Sequence, residues 1–265
     1  MEKGKERSIG FTLIELLVVI AIIALLLSIM MPALQRVKEK AKATVCQTRM
    51  KQWNIVTTAY GNDNNFKFPD YTYKGGGHWW MQPLRPYYTD SKIRLCPSAY
   101  LPPTNDGWTS NRRYNECWAT HNPFPELDPG DVLYGSLGPN CWLMDISNRA
   151  VASQDNYWGS LNQAGFNVPL FLDCWWVDGW PKDADIPQDK PDNGSTWDIV
   201  GNHMQRFNTD RHNGRVSAVF VDGSCEMVGL KRLWRLKWHR KFDSSNASTR
   251  PEYVWPDWMR NIPDD

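Results

Sequence analysis

From Phe11 to Met31 the chain offers a single ionisable residue, Glu15, and neither glycine nor proline interrupts it before Pro32. As an α-helix these twenty-one residues would extend about 31 Å, enough to cross a bilayer core of about 30 Å. Lys3, Lys5 and Arg7 precede the run, and Arg36, Lys38, Lys40 and Lys42 follow it. Cations therefore flank both ends, and charge counting alone does not set the orientation. Glu15 stands out within the run. A carboxylate in an apolar span is costly unless it has a partner or lies near the interface, so it is a functional residue by default.

Read together, Gly10-Phe11-Thr12-Leu13-Ile14-Glu15, the short basic leader and the apolar run resemble the GFxxxE processing site of type IV prepilins and type II secretion pseudopilins. The resemblance implies cleavage after Gly10 by a prepilin peptidase, N-methylation of Phe11 and a mature chain starting at Phe11. It also implies that Glu15, four residues beyond Phe11, pairs with the N-terminal amine of a neighbouring subunit during filament assembly. An ordinary secretory signal peptide also has a basic start and an apolar centre. Here that centre exceeds the usual length, and the first small-x-small site, Ala41-Lys42-Ala43, lies well past its end. An uncleaved signal anchor is a third reading of the same segment.

The remaining two hundred or so residues suffice for one sizeable core. A net charge of +1 without a long basic patch gives no electrostatic case for nucleic acid. All six cysteines (Cys46, Cys96, Cys117, Cys141, Cys174 and Cys225) follow the apolar run, an even count compatible with disulfides on an exported side. No C-x-x-C occurs, so no structural zinc site is expected. The pair expected to bond is Cys46 with Cys96, tethering the helix to the first part of the domain. Fifteen tryptophans are many for this length, and they serve either as core or as sugar-stacking platforms.

Beyond Pro32, which can kink a helix without ending it, Leu34, Val37, Ala41 and Val45 recur at helical spacing, then Met50, Trp53, Val56 and Tyr60. The helix is therefore predicted to continue as an amphipathic one over 32–61, stopped at Gly61-Asn62. The expected organisation is a leader over 1–10, a membrane and assembly helix over 11–31, its amphipathic continuation, and an extracytoplasmic β-rich domain over 62–265. This is an α+β, pilin-like class, with a long helix packed on a loop-rich antiparallel β domain. Within the domain, Val132–Gly135, Asn140–Met144 and Val168–Trp176 read as strands. The segment 181–198 is acidic. Asp183, Asp185, Asp189 and Asp192 are its calcium candidates, although the EF-hand spacing fails; otherwise no metal or cofactor is expected.

A second stretch, Arg211 to Gly223, places nine residues between His212 and Asp222-Gly223. It resembles the H-X9-DG module at the C-terminus of one large group of prepilin-type proteins. Arg215 to Val221 reads as a strand, and Asp222-Gly223 as a two-residue hairpin turn into Cys225–Val228. Ten residues of strand would hold His212 and Asp222 roughly 33 Å apart, too far for a His–Asp catalytic pair within the motif. Leu230–Phe242 reads as a basic, partly amphipathic tail helix docked on the domain.

No G-x-S-x-G, H-E-x-x-H or C-x-x-C pattern points to an enzyme. The expected role is a structural subunit of a type IV pilus or type II secretion filament, anchored once in the inner membrane. Its expected partners are a prepilin peptidase, other subunits and the lipid bilayer. The alternative is a surface-displayed carbohydrate-binding protein that uses the same N-terminus for export, with polysaccharide as its partner.

Overall fold

Thr12 opens the first helix, and the run of aliphatic residues without glycine sustains it. In the computed structural model, which describes residues 12–70, 80–99, 117–121, 132–146, 153–188, 201–245 and 255–264, α1 spans Leu13–Asp63 and continues through Pro32. Gly61 and the following residues end it. The amides of Asn64 and Phe66 both bond to the Gly61 carbonyl, and Asn65 and Phe66 turn to positive φ, 54° and 58°.

The chain divides into two compact units, residues 1–41 and 42–265. In the first, every described side chain is exposed, including Leu13, Ile14, Leu25, Ile29, Leu34 and Val37. Exposed apolar surface on this scale marks a membrane or protein contact. In the second unit, α1 buries Cys46, Met50, Trp53, Val56, Thr57 and Gly61, an i, i+4, i+7 stripe. The stripe expected from Leu34 onward is thus corrected: packing begins at Cys46, and Val45 faces solvent.

The stripe lies against antiparallel strands, giving the expected α+β class. A two-stranded ribbon pairs β1 (Trp118–His121) with β2 (Val132–Gly135). A four-stranded sheet runs in the order β3 (Leu137–Pro139), β4 (Pro169–Asp173), β5 (Arg215–Phe220), β6 (Cys225–Gly229), with all pairs antiparallel. The apolar β4 is buried at every position. Trp53 of α1 stacks on Phe171 of β4 with ring centroids 4.9 Å apart, and Trp80 meets both rings edge-on.

Two element assignments differ from the sequence reading. Asn140–Met144 is a 3₁₀ turn over Cys141–Leu143, because the Asn140 side chain accepts the Trp142 amide and diverts the strand. The tail over Leu230–Phe242 is one 3₁₀ turn, Lys231–Arg235, followed by irregular backbone. Its Leu233, Trp234, Leu236 and Trp238 are buried in the core, as docking on the domain requires.

The tryptophans explain how so irregular a domain stays closed. Of the described tryptophans, Trp53, Trp80, Trp118, Trp142, Trp158, Trp175, Trp234 and Trp238 are buried and the rest half-buried. Among the described residues, nine indole N–H groups donate to backbone carbonyls outside regular ladders or at their ends, including Trp53 to Ile93 at 2.9 Å, Trp80 to Val177 at 2.7 Å, Trp142 to Pro181 at 2.7 Å and Trp234 to Asp185 at 2.7 Å. A buried loop carbonyl needs a donor, and indole brings one together with a large apolar face. None of the described tryptophans is fully exposed.

Candidate functional site

At the N-terminus, Thr12 and Glu15 form a reciprocal cap. The Thr12 amide and hydroxyl both donate to Glu15 Oε2 at 2.8 Å, and the Glu15 amide donates to Thr12 Oγ1 at 3.3 Å. This is the capping-box arrangement, with Thr12 as N-cap and Glu15 at the third helical position. The carboxylate of Glu15 is therefore turned back on the helix start. Gly10 and Phe11 themselves lie outside the described residues.

A second constellation lies inside the 42–265 unit. It joins Cys46 of α1, Cys96 of the turn that follows a 3₁₀ helix (Ser91–Arg94), Asp173 at the end of β4, and His212 in the turn before β5. One donor atom from each falls within 4.8 Å of all the others. His212 Nε2 is 3.2 Å from Cys96 Sγ and 3.3 Å from an Asp173 oxygen, and Cys46 Sγ donates to the other Asp173 oxygen at 3.6 Å. All four side chains are buried. Arg211, also buried, sits 3.6 Å from Asp173 Oδ1 and ties the neighbourhood together by donating to the carbonyls of Ser136 and Cys174.

Local sequence explains each placement. Pro97-Ser98 turns the chain after Cys96, so that the Ser98 amide points back at Cys96 Sγ at 3.4 Å and the Cys96 amide reaches Ser136 Oγ at 2.5 Å. Asp210 accepts the Gly214 amide at 2.6 Å across a turn in which Asn213 and Gly214 take positive φ, and this presents His212 inward. The Ser217 amide fixes Asp173 Oδ2 at 2.7 Å.

The electrostatics are those of mutually stabilised charges. Burial pushes the Asp173 carboxyl up, but His212, Arg211 and the Ser217 amide outweigh it and hold it below the usual carboxylate range. Burial pushes the His212 imidazole down, yet Asp173 and Cys96 raise it to about 10. Burial likewise opposes ionisation of Cys96, but bonds from Cys46 and His212 bring it down to about 6. Cys46 goes well above the usual thiol value through burial, Cys96 and Asp173. A thiolate beside an imidazole resembles an activated nucleophile. With every member buried, this one has no face open to a substrate.

The structure brings Cys46 and Cys96 together as free thiols, each with its sulfur against a polar group of a third residue. The carboxylate beside His212 comes from Asp173, and Asp222 is not paired with His212, as the strand between them requires. Asp222 Oδ1 instead accepts the Ser224 amide at 2.9 Å in its own turn, with Gly223 at φ 83°. That turn is a three-residue loop, closed by the Phe220 amide on the Ser224 carbonyl at 2.9 Å, rather than a two-residue one. Asp185 is buried and accepts the Lys182 and Met204 amides at 3.0 and 2.8 Å, which spends its carboxylate on backbone. Asp183 is half-buried, and Asp189 and Asp192 lie outside the described residues. Sequence reasoning missed Asp173 altogether; its one signal was an acid ending an otherwise apolar strand.

Comparison of the chain with curated proteins and with solved structures found no match. A family model described as the prokaryotic N-terminal methylation motif matches residues 7–31, a span that includes Gly10, Phe11 and Glu15. The chain therefore carries a prepilin-type N-terminal motif on the exposed, apolar start of α1.

Proposed function

We propose that the protein is a pilin-like or pseudopilin-like structural subunit, cut after Gly10 by a prepilin peptidase, methylated on Phe11 and assembled through α1 into a type IV pilus or type II secretion filament. The observation that carries this reading is the methylation motif over residues 7–31, placed on a helix long and apolar enough to span a membrane. On this reading the helix anchors the chain once in the inner membrane, with the 42–265 unit on the extracytoplasmic side. Glu15 then has two successive partners: its own Thr12 amide in the single subunit, and the charged Phe11 amine of a neighbour in the filament. Low dielectric strengthens such a pairing, and removing one member of a buried pair strands the other charge.

The test is mass spectrometry of the mature N-terminus, combined with cross-linking between neighbouring α1 helices. We expect N-methylated Phe11 as the first residue, an uncut precursor for Gly10→Val, and membrane insertion with sharply reduced cross-linking for Glu15→Ala. An N-terminus near Thr44 would instead point to an ordinary signal peptidase. Equal cross-linking in wild type and Glu15→Ala would reduce Glu15 to its capping role.

A further inference from the structure

We infer that Cys46, Cys96, Asp173 and His212 form a closed, structural zinc site that pins α1 to the sheet. Two thiols, one imidazole and one carboxylate are a donor set suited to tetrahedral zinc. With metal–ligand bonds of about 2.0–2.3 Å, a tetrahedral ion holds its ligand atoms roughly 3.3–3.8 Å apart. His212 Nε2 to Cys96 Sγ at 3.2 Å, His212 Nε2 to Asp173 Oδ2 at 3.3 Å and Cys46 Sγ to Asp173 Oδ1 at 3.6 Å lie close to those edges, and the four donors, none more than 4.8 Å from another, would draw in slightly around an ion. Paired hydrogen bonds would account for any one of these distances. They do not require one ligand atom from each of four residues to lie within 4.8 Å of all the others.

Charge gives an independent argument. Zinc with two thiolates, one carboxylate and a neutral imidazole carries one net negative charge, and the buried Arg211 guanidinium, 3.6 Å from Asp173, balances it. Without a cation, two thiols, a carboxyl and an imidazole crowd a dry site where only some can ionise. The surroundings also fit. The Ser98 amide points at Cys96 Sγ and the Ser217 amide at Asp173 Oδ2, the kind of outer contacts that orient metal ligands. All four positions are taken by protein and all four side chains are buried, which is the arrangement of a structural site and not of a catalytic one, where a position stays open. The ligands come from the helix, a turn, the central strand and the turn before its neighbour, so one ion would cross-link the whole 42–265 unit. A metal site and a Cys46–Cys96 disulfide exclude each other, since a cystine has no thiolate to offer.

The test is element analysis of the full chain, purified in detergent from zinc-supplemented cells without a metal-affinity step. We expect about one zinc per chain, retained by Cys225→Ser and falling below about a tenth in His212→Gln and Cys96→Ser. Cobalt substituted into wild type should give the intense visible bands of a tetrahedral ion and a thiolate-to-metal charge-transfer band, and chelation should lower the midpoint of thermal unfolding. The cobalt spectrum stands on wild type alone, so the test survives if the ligand variants do not fold. Folded wild type without stoichiometric zinc would overturn the inference. So would a different metal in its place, unchanged zinc content in the ligand variants, or a Cys46–Cys96 cystine in protein taken from its native envelope.

Discussion

At the scale of single residues, two histidines are held neutral and should make the fold acid-sensitive. His239 packs between the Trp142 and Phe242 rings at 4.9 and 5.2 Å, and its Nδ1 has no hydrogen-bond partner among the described residues. Burial, opposed by Asp183 and assisted by Lys237, lowers it from 6.5 to about 4. Burial, with Arg206 and Lys182, takes His203 to about 3. The unfolded chain protonates both near 6.5 while the folded chain does not. Their contribution to stability is thus complete above that value and is lost as pH falls, toward about 4 for His239 and about 3 for His203. Asp185, raised by burial to about 6, works in the opposite direction over part of the same range. The expected outcome is that His239→Phe loses less of its denaturant midpoint than wild type between about pH 7.5 and about pH 5. Parallel losses in the two proteins would show that His239 does not titrate on unfolding.

At the scale of elements, the β5–β6 hairpin is the clearest case of a sequence signal with a structural cause. Gly223 sits at φ 83° and its missing Cβ would lie 3.3 Å from Asn54 Oδ1 of α1. Gly223→Ala should therefore cost about 1–2 kcal/mol in urea unfolding, whereas Gly165→Ala, with nothing within 4 Å, should be near neutral. Comparable losses would mean that the turn has no special demand for glycine. The hairpin, β4 and the long helix were legible because each is written locally, in β-branched runs, turn residues and an unbroken apolar stretch. The buried cluster was not. Cys46 and Cys96 stand fifty residues apart, and Asp173 and His212 lie farther along still, so no short spacing announces them. Only the pairing of β4 with β5 and the docking of α1 bring them together. The start of the packed helical stripe was misread for a related reason. Leu34 and Val37 fit the helical period as well as Met50 and Trp53, and periodicity does not say whether anything lies opposite.

At the scale of the molecule, the two units differ in what stabilises them. Residues 13–41 form a helix with its side chains exposed, whereas residues 42–265 carry the aromatic core. A fragment from Lys42 to Asp265 should accordingly be soluble without detergent, sediment as a monomer, and keep the near-ultraviolet circular dichroism of the full chain. A fragment that binds hydrophobic dyes and lacks that signal would show that the first unit is needed to complete the core.

The tethers that close this core also set an order in time. Trp80 reaches Val177, ninety-seven residues on, and the Cys225 thiol reaches Gln47, one hundred and seventy-eight residues back. The face of α1 from Cys46 to Gly61 leaves the ribosome early, while β5 ends only at Phe220. At roughly 5–20 residues per second, that face waits on the order of ten seconds or more before the strands it lies on have been made. Contacts this distant also fold slowly once their partners exist. During that interval the helix carries two open apolar surfaces, one that will stay open and one that will close. Whatever handles the nascent chain must shield both without committing either.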